Sequence, residues 1–367
     1  MRYDFLIVGA GLSGSVIAER LKSAGAKILV LDKRDVLGGN LRCRDMGGIT
    51  VHCYGAHIFR TSNPIVWEYV NRFATFNRFT NSPVANYRGQ LYNLPFNMNT
   101  FHQLFGVNTP KEARAVIDAD RIRCANPKNL EEHVLDMVGE TIYERLVRGY
   151  TEKQWGKKCT ELPPSIIRRI PVRLTYDNNY FHDRWQGIPE NGYNDMISKM
   201  LSDVPVELLT DFNDNREYWE ARADKVVYTG PVDALCDYAF GPLEYRSLRF
   251  EHERIEENNH QGVAVINYTD NETPYTRTIE HKHFLFGDNR NYTIVTKEYP
   301  CEYVLNGDTE PYYPIENEIN KTLYKAYKDI AEGKGYILCG RLAEYRYYDM
   351  QDTIASALSV TDKIIKG

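Results

Sequence analysis

Residues 5–8 are an unbroken apolar run, and the chain turns at once through Gly9-Ala10-Gly11-Leu12-Ser13-Gly14. Helix-competent sequence follows at 15–24, and a second apolar run at 27–31 ends on Asp32. This order of strand, glycine turn, helix, strand and acid is a βαβ unit. Its first turn lets bare backbone approach a pyrophosphate, and the helix N-terminus offers N–H donors. The acid at the tip of the second strand accepts from a ribose hydroxyl. A dinucleotide is therefore expected at Gly9, Gly11, Gly14 and Asp32.

Further along, Ser62-Asn63-Pro64 is a cap with proline at the first helical position, predicting a helix over 65–76. Alternation across 85–94 around Arg88-Gly89 predicts a hairpin. Thr109-Pro110-Lys111-Glu112 is a capping box opening a helix toward 124, and a second helix is expected from about 130 to 149. Gly156, Cys159 and Pro163-Pro164 break the regularity of 151–164, which reads as an irregular, lid-like connection. Alternating segments at 263–268, 275–284 and 292–299 predict an antiparallel sheet. A buried strand at 336–340 and a helix from 353 return to the α/β pattern and should complete the first sheet.

Composition narrows the function classes. With 367 residues, 43% hydrophobic and 26% charged, the chain has the make-up of an ordinary soluble protein of two or three domains. A net charge of -5 argues against a general nucleic-acid or anionic-membrane partner. No run approaches the roughly 20 apolar residues that span a bilayer. The seven cysteines are scattered without a CxxC pair, which fits reduced thiols and a cytoplasmic location. Cys43, His52, Cys53 and His57 crowd one region, but their spacing matches no zinc pattern, and no metal is expected.

Gly38-Gly39-Asn40 lets main chain pass close to a ligand, and with the first turn it is similar to the extended fingerprint of FAD-containing flavoproteins. FAD is favoured over a nicotinamide cofactor. Several of the 27 tyrosines sit in polar, irregular contexts, where aromatic faces can stack on bases and sugars, while most of the 27 read as half-buried sheet or surface tyrosines. Arg168-Arg169, Arg173 and Arg277 are candidate phosphate ligands, each equally readable as a surface charge. No serine–histidine–acid set or carboxylate pair stands out. The chemistry is then the cofactor's, with the protein binding a phosphorylated, sugar-like ligand.

Longer strings carry a family resemblance. Tyr54-Gly55-Ala56-His57-Ile58-Phe59, Asn77-Arg78-Phe79-Thr80-Asn81-Ser82-Pro83 and Asn93-Leu94-Pro95-Phe96-Asn97-Met98 are among them. So are Gly149-Tyr150-Thr151-Glu152-Lys153-Gln154-Trp155-Gly156, Arg169-Ile170-Pro171-Val172-Arg173, Asp177-Asn178-Asn179-Tyr180-Phe181 and Arg341-Leu342-Ala343-Glu344-Tyr345. All resemble bacterial UDP-galactopyranose mutases, from the first strand to the last helix. The resemblance implies an α/β fold: a discontinuous Rossmann-like FAD-binding domain (1–78, 192–240 and 316–367), an inserted helical domain (97–191), and an antiparallel β-sheet domain (79–96 and 241–315). It implies an isomerase, active with reduced FAD, that interconverts UDP-galactopyranose and UDP-galactofuranose through a flavin N5–sugar adduct. A reductant to prime the flavin, a homodimer and a place in surface-polysaccharide supply are implied with it.

Carried onto matching positions, Arg169 and Arg277 would clamp the diphosphate. Tyr150, Tyr180 and Phe181 would hold the uridine, and Trp155 would lie on the closing loop. Asn81, Tyr312, Tyr347 and Asp349 would line the sugar and diphosphate region. His57 would sit beside the flavin, while Gly9, Gly11, Gly14, Asp32, Gly39, Asn40, Arg341 and Met350 would bind FAD. Two positions depart from the family. Asp32 stands where glutamate is common, which leaves ribose binding intact, and Arg60 stands where histidine is usual. A longer charged donor at Arg60 could reach an acyl oxygen, so UDP-N-acetylgalactosamine is a further expected substrate. The rival reading is an FAD-dependent oxidoreductase of the amine-oxidase type.

Overall fold

The computed structural model describes residues 2–167, 172–305 and 307–366. Strand Tyr3–Val8, helix Leu12–Ser23 and strand Ile28–Leu31 form the opening βαβ unit. The helix starts at Leu12 rather than at 15, because Gly11 is its N-cap and the glycine turn folds directly into the first helical turn. Five parallel strands follow the order Tyr336–Leu338, Ala223–Tyr228, Tyr3–Val8, Ile28–Leu31, Val206–Glu207. The strand near the C-terminus thus joins the first sheet. Both faces are covered, which is why the first strand reads as continuous apolar sequence. Ile7 packs with Val16, Ile17 and Ile354 on one side, and Leu6 with Phe212, Trp219 and Tyr327 on the other.

A second sheet of seven strands runs Tyr313–Pro314, Tyr245–Ile255, Thr293–Glu302, Arg277–Glu280, Val265–Tyr268, Val84–Tyr87, Gln90–Asn93. It is antiparallel except where Val265–Tyr268 pairs in parallel with Val84–Tyr87. The hairpin turn forms where predicted. Arg88 (φ 52°) and Gly89 (φ 84°) take the two positive dihedrals that a two-residue turn of matching twist requires.

The helical part departs from its prediction. A single helix over 130–149 is replaced by Leu130–Val138, a break, Glu140–Ile142, a π-helical turn Tyr143–Arg148 and a last helix Gly149–Trp155. The break lies at Gly139 (φ 91°), where a Cβ would fall 2.8 Å from Cβ of Asp120. The chain therefore remains helical to Trp155, and only beyond Gly156 (φ 65°) does the expected irregular connection begin. The helix expected over 65–76 is the shorter Pro64–Val70, with the Asn63 side chain accepting from the Ile65 N–H. The final helix, Met350–Lys366, starts before 353 because Asp349 and Asp352 cap it reciprocally. Among the described residues no helix is long and apolar enough to cross a membrane.

Candidate active site

A cavity of about 490 Å³ opens over the glycine turn, and Gly9, Gly11, Asp32, Gly39, Asn40, His57, Arg341 and Met350 are among its lining residues. Gly9 (φ 107°) has no room for a side chain, since a Cβ would lie 2.1 Å from Oγ1 of Thr229. Gly11 differs: its backbone is ordinary and a Cβ would meet only Cα of Gly39 at 3.7 Å, so what it provides is open space above the helix N-terminus. Gly14 does not line the cavity. Its Cβ would fall 1.9 Å from the Gly9 carbonyl oxygen, so its role is close packing of helix against turn, correcting the expectation of direct cofactor contact.

Asp32 fixes the turn that it faces. Its Oδ2 accepts from the Ala10 N–H at 2.7 Å and its Oδ1 from the Arg34 N–H at 2.9 Å, leaving further lone pairs toward the cavity. Arg34 donates to Asn40 Oδ1 at 3.1 Å. His57 also lines the cavity, and its Nδ1 is buried without a hydrogen-bond partner among the described residues. Burial, and then the neighbouring Arg341 charge, lower its pKa to about 4, so the ring is neutral at physiological pH. A bare-backbone cradle and an unsatisfied ring nitrogen lining one cavity fit a dinucleotide carrying a hydrogen-bonding ring system.

Beyond His57 a second group converges from distant segments. Arg277, at the start of its strand, donates from Nη2 to Tyr150 Oη at 2.5 Å. Its Nε lies 3.1 Å from the buried Glu298 carboxylate. Burial opposes the Arg277 charge, but Glu298 and Tyr150 outweigh it and raise the guanidinium pKa. Tyr180, whose phenol is pushed up to about 12 by burial and then by Tyr150, completes the wall with Asn81, whose carbonyl accepts from the Tyr180 N–H at 2.7 Å. Tyr347 stacks on Tyr313 with ring centres 5.4 Å apart, and Arg341 lies over Tyr313.

Three expected residues stand differently. Tyr312 packs into a cluster with Tyr54 and Phe250, and its neighbour Tyr313 takes the place facing Tyr347. Trp155 is the last residue of the helix Gly149–Trp155 and packs against the helical core, instead of lying on a closing loop. Arg60 is enclosed: it donates to Asp183 at 2.6 Å and Asp349 at 2.7 Å and lies over the Phe181 ring. Arg169 lies outside the described residues. Arg173 is no phosphate ligand, being buried with its guanidinium on His182 and the carbonyls of Asn179 and Tyr180. Sequence reasoning missed Glu298 and Asp183. Glu298 had one faint signal, a carboxylate that follows the apolar start Ile294-Val295 of its strand.

Known proteins give this arrangement its context. The UDP-galactopyranose mutase family profile matches residues 145–347, and an NAD(P)-binding Rossmann-like domain profile matches residues 7–73. A probable UDP-galactopyranose mutase of Klebsiella pneumoniae is 40% identical over 99% of this chain and 95% of its own. A dTDP-fucopyranose mutase of Escherichia coli is 37% identical over 99% and 98%. The crystal structure of a reduced UDP-galactopyranose mutase superposes with a TM-score of 0.78 at 15% identity, covering 100% of this chain and 94% of that one. Likeness at this level, sustained across the whole chain, is decisive: the chain belongs to the UDP-galactopyranose mutase family of isomerases.

Proposed function

We infer that the protein interconverts UDP-galactopyranose and UDP-galactofuranose with reduced FAD held in the cavity above Gly9 and Gly11. The observation that carries this reading is the Arg277–Tyr150 pair, set among aromatic rings near His57, which lines the cofactor cavity. A reduced flavin bound there supplies a nucleophilic N5 for the anomeric carbon, and external reductant primes it. Arg277 offers a permanent positive charge for the diphosphate and for the UDP that departs. Tyr150, Tyr180 and Phe181 supply stacking faces and phenol donors for the uridine. His57, neutral, can exchange one hydrogen bond in the cavity lining without adding charge. Arg169, through its place in the sequence, is proposed as the second diphosphate ligand.

One relative acts on a dTDP-linked fucose, so the sugar and base have to come from this chain's own pocket. Two of the five N–H donors of Arg60 already go to the Asp183 and Asp349 carboxylates, so nothing in its setting singles out an acyl group. Unsubstituted UDP-galactose is therefore the substrate we propose. Dithionite-reduced enzyme incubated separately with UDP-galactofuranose, its N-acetylamino counterpart and dTDP-fucofuranose tests this directly. Pyranose product from UDP-galactofuranose, absent without reductant, is expected. Product from another sugar alone would overturn the substrate, and no product from any would revive the oxidoreductase reading.

A further inference from the structure

Tyr150 and Arg277 come from different parts of the fold, one on the Gly149–Trp155 helix and one on the strand Arg277–Glu280. Their 2.5 Å contact needs something to hold helix and strand in register. Lys153 lies one helical turn from Tyr150 and reaches across the same junction. Its Nζ donates to the carbonyls of Tyr268 and Thr273, each at 2.9 Å, and of Tyr275 at 3.1 Å. An ammonium has three N–H donors, and here each has a carbonyl. Those carbonyls belong to the turn that leads into Arg277, and the turn is closed by the Tyr268 N–H donating to Thr276 O at 2.8 Å.

The backbones touch at the same place. A Cβ on Gly149 would fall 2.3 Å from the Thr269 carbonyl oxygen, so the helix lies flat on the turn. At its other end Arg246, from strand Tyr245–Ile255, donates to the Gln154 carbonyl at 3.1 Å. Burial lowers the Lys153 ammonium to about 8, opposed by Asp270 and Glu272 of the turn, so the clamp is charged at neutral pH.

We propose that Lys153 is a positioning residue that sets the spacing of Tyr150 and Arg277, and so tunes affinity for the nucleoside diphosphate without touching it. The proposal rests on the substrate reading given above. Flavin-loaded wild type, Lys153→Met and Lys153→Arg are titrated with UDP by calorimetry, with flavin content, Tm, KM and kcat measured beside it. Lys153→Met should keep flavin and fold with a modest fall in Tm, the three carbonyls having lost their donor, while weakening UDP roughly tenfold and raising KM more than it lowers kcat. Lys153→Arg, which retains charge and donors, should recover most of that loss. Wild-type affinity for UDP in Lys153→Met would overturn the proposal. So would loss of flavin or Tm in step with affinity in both variants, which would make Lys153 a general scaffold residue. Wild-type enzyme that ignores UDP would instead overturn the substrate reading beneath it.

Discussion

The main-chain N–H of His57 donates to Nδ1 of His52 at 3.2 Å. Nδ1 must carry a lone pair to accept, so the His52 ring is neutral with its proton on Nε2. The pattern repeats one step back. The His52 N–H donates to Nδ1 of His281 at 3.2 Å, and His281 Nε2 lies 2.6 Å from Thr296 Oγ1. Two neutral imidazoles in series thus hold the peptide that carries His57 into the lining of the cavity.

Acid should undo this support. Burial lowers His281 to about 3 and His57 to about 4, and lowers His52 well below its ordinary value. The unfolded chain binds those protons nearer pH 6.5, so between about 6.5 and 4 it holds more protons than the native state. Stability is then full above about 6.5 and falls with pH, by up to about 1.4 kcal/mol per unit for each ring. Thermal melts at pH 7.5 and 4.5 should show a marked drop in Tm. The drop should shrink in His281→Asn, which keeps an acceptor but cannot titrate. An equal drop in that variant would remove His281 from the account.

Gly11 and Gly14 should fail in opposite ways when changed to alanine. The Gly14 Cβ would strike a backbone oxygen at 1.9 Å, so helix and turn must separate and Tm should fall whether or not cofactor is present. The Gly11 Cβ meets nothing closer than 3.7 Å, so Gly11→Ala should fold normally. It would, however, occupy the space where a pyrophosphate approaches the helix N-terminus, and FAD affinity should fall at least roughly tenfold. Flavin titration of the apoproteins, with Tm beside it, separates the two.

That contrast shows how far the sequence can be read. The turn, its flanking strands and Asp32 are legible because each depends on residues close in the chain. The Arg88-Gly89 hairpin and the Thr109 capping box are legible for the same reason. Which glycine clears a ligand and which packs a helix depends on Gly39 and Gly9 meeting Gly11 and Gly14 in space. The His52–His281 link joins residues 229 positions apart, and no local pattern announces it. Gly139 misled for a physical reason: the apolar spacing on both sides is helical, and the break comes from Asp120 packing against that point. Arg60 and Arg173 are arginines in suggestive strings whose charges are met within the fold.

Arg173 should prove a support for the Tyr180 loop. Its side chain donates to His182 Nε2 at 2.9 Å and to the Tyr180 carbonyl at 3.2 Å, with a further bond to Asn179 O. Lysine can reach only part of this set, because its donors radiate from one atom. Arg173→Lys should therefore raise KM for the nucleotide sugar several-fold with kcat little changed, and flavin content unaltered. A variant with unchanged KM would show that the loop holds its shape without the guanidinium.

The contribution of Arg60 to stability should depend on pH. The guanidinium bridges Asp183 and Asp349, and Asp349 Oδ1 also accepts from the Asp352 N–H at the start of the final helix. Burial raises the Asp349 carboxyl, and Arg60 is the charge that works against that rise. Without Arg60 the Asp349 pKa should climb further above its unfolded value. The native state then binds more protons than the unfolded chain, and stability is lost as pH rises through the new value. Arg60→Ala should be less stable than wild type at pH 8 by about 1–3 kcal/mol, the order expected for a part-buried carboxylate left without its partner. The deficit should narrow at pH 5, where more of Asp349 is protonated. Urea unfolding at the two pH values measures both numbers. Asp183→Ala combined with Arg60→Ala should cost less than the sum of the singles, since both remove the same bridge. A deficit equal at pH 5 and 8 would mean that Arg60 acts through its packing on Phe181 rather than through its charge.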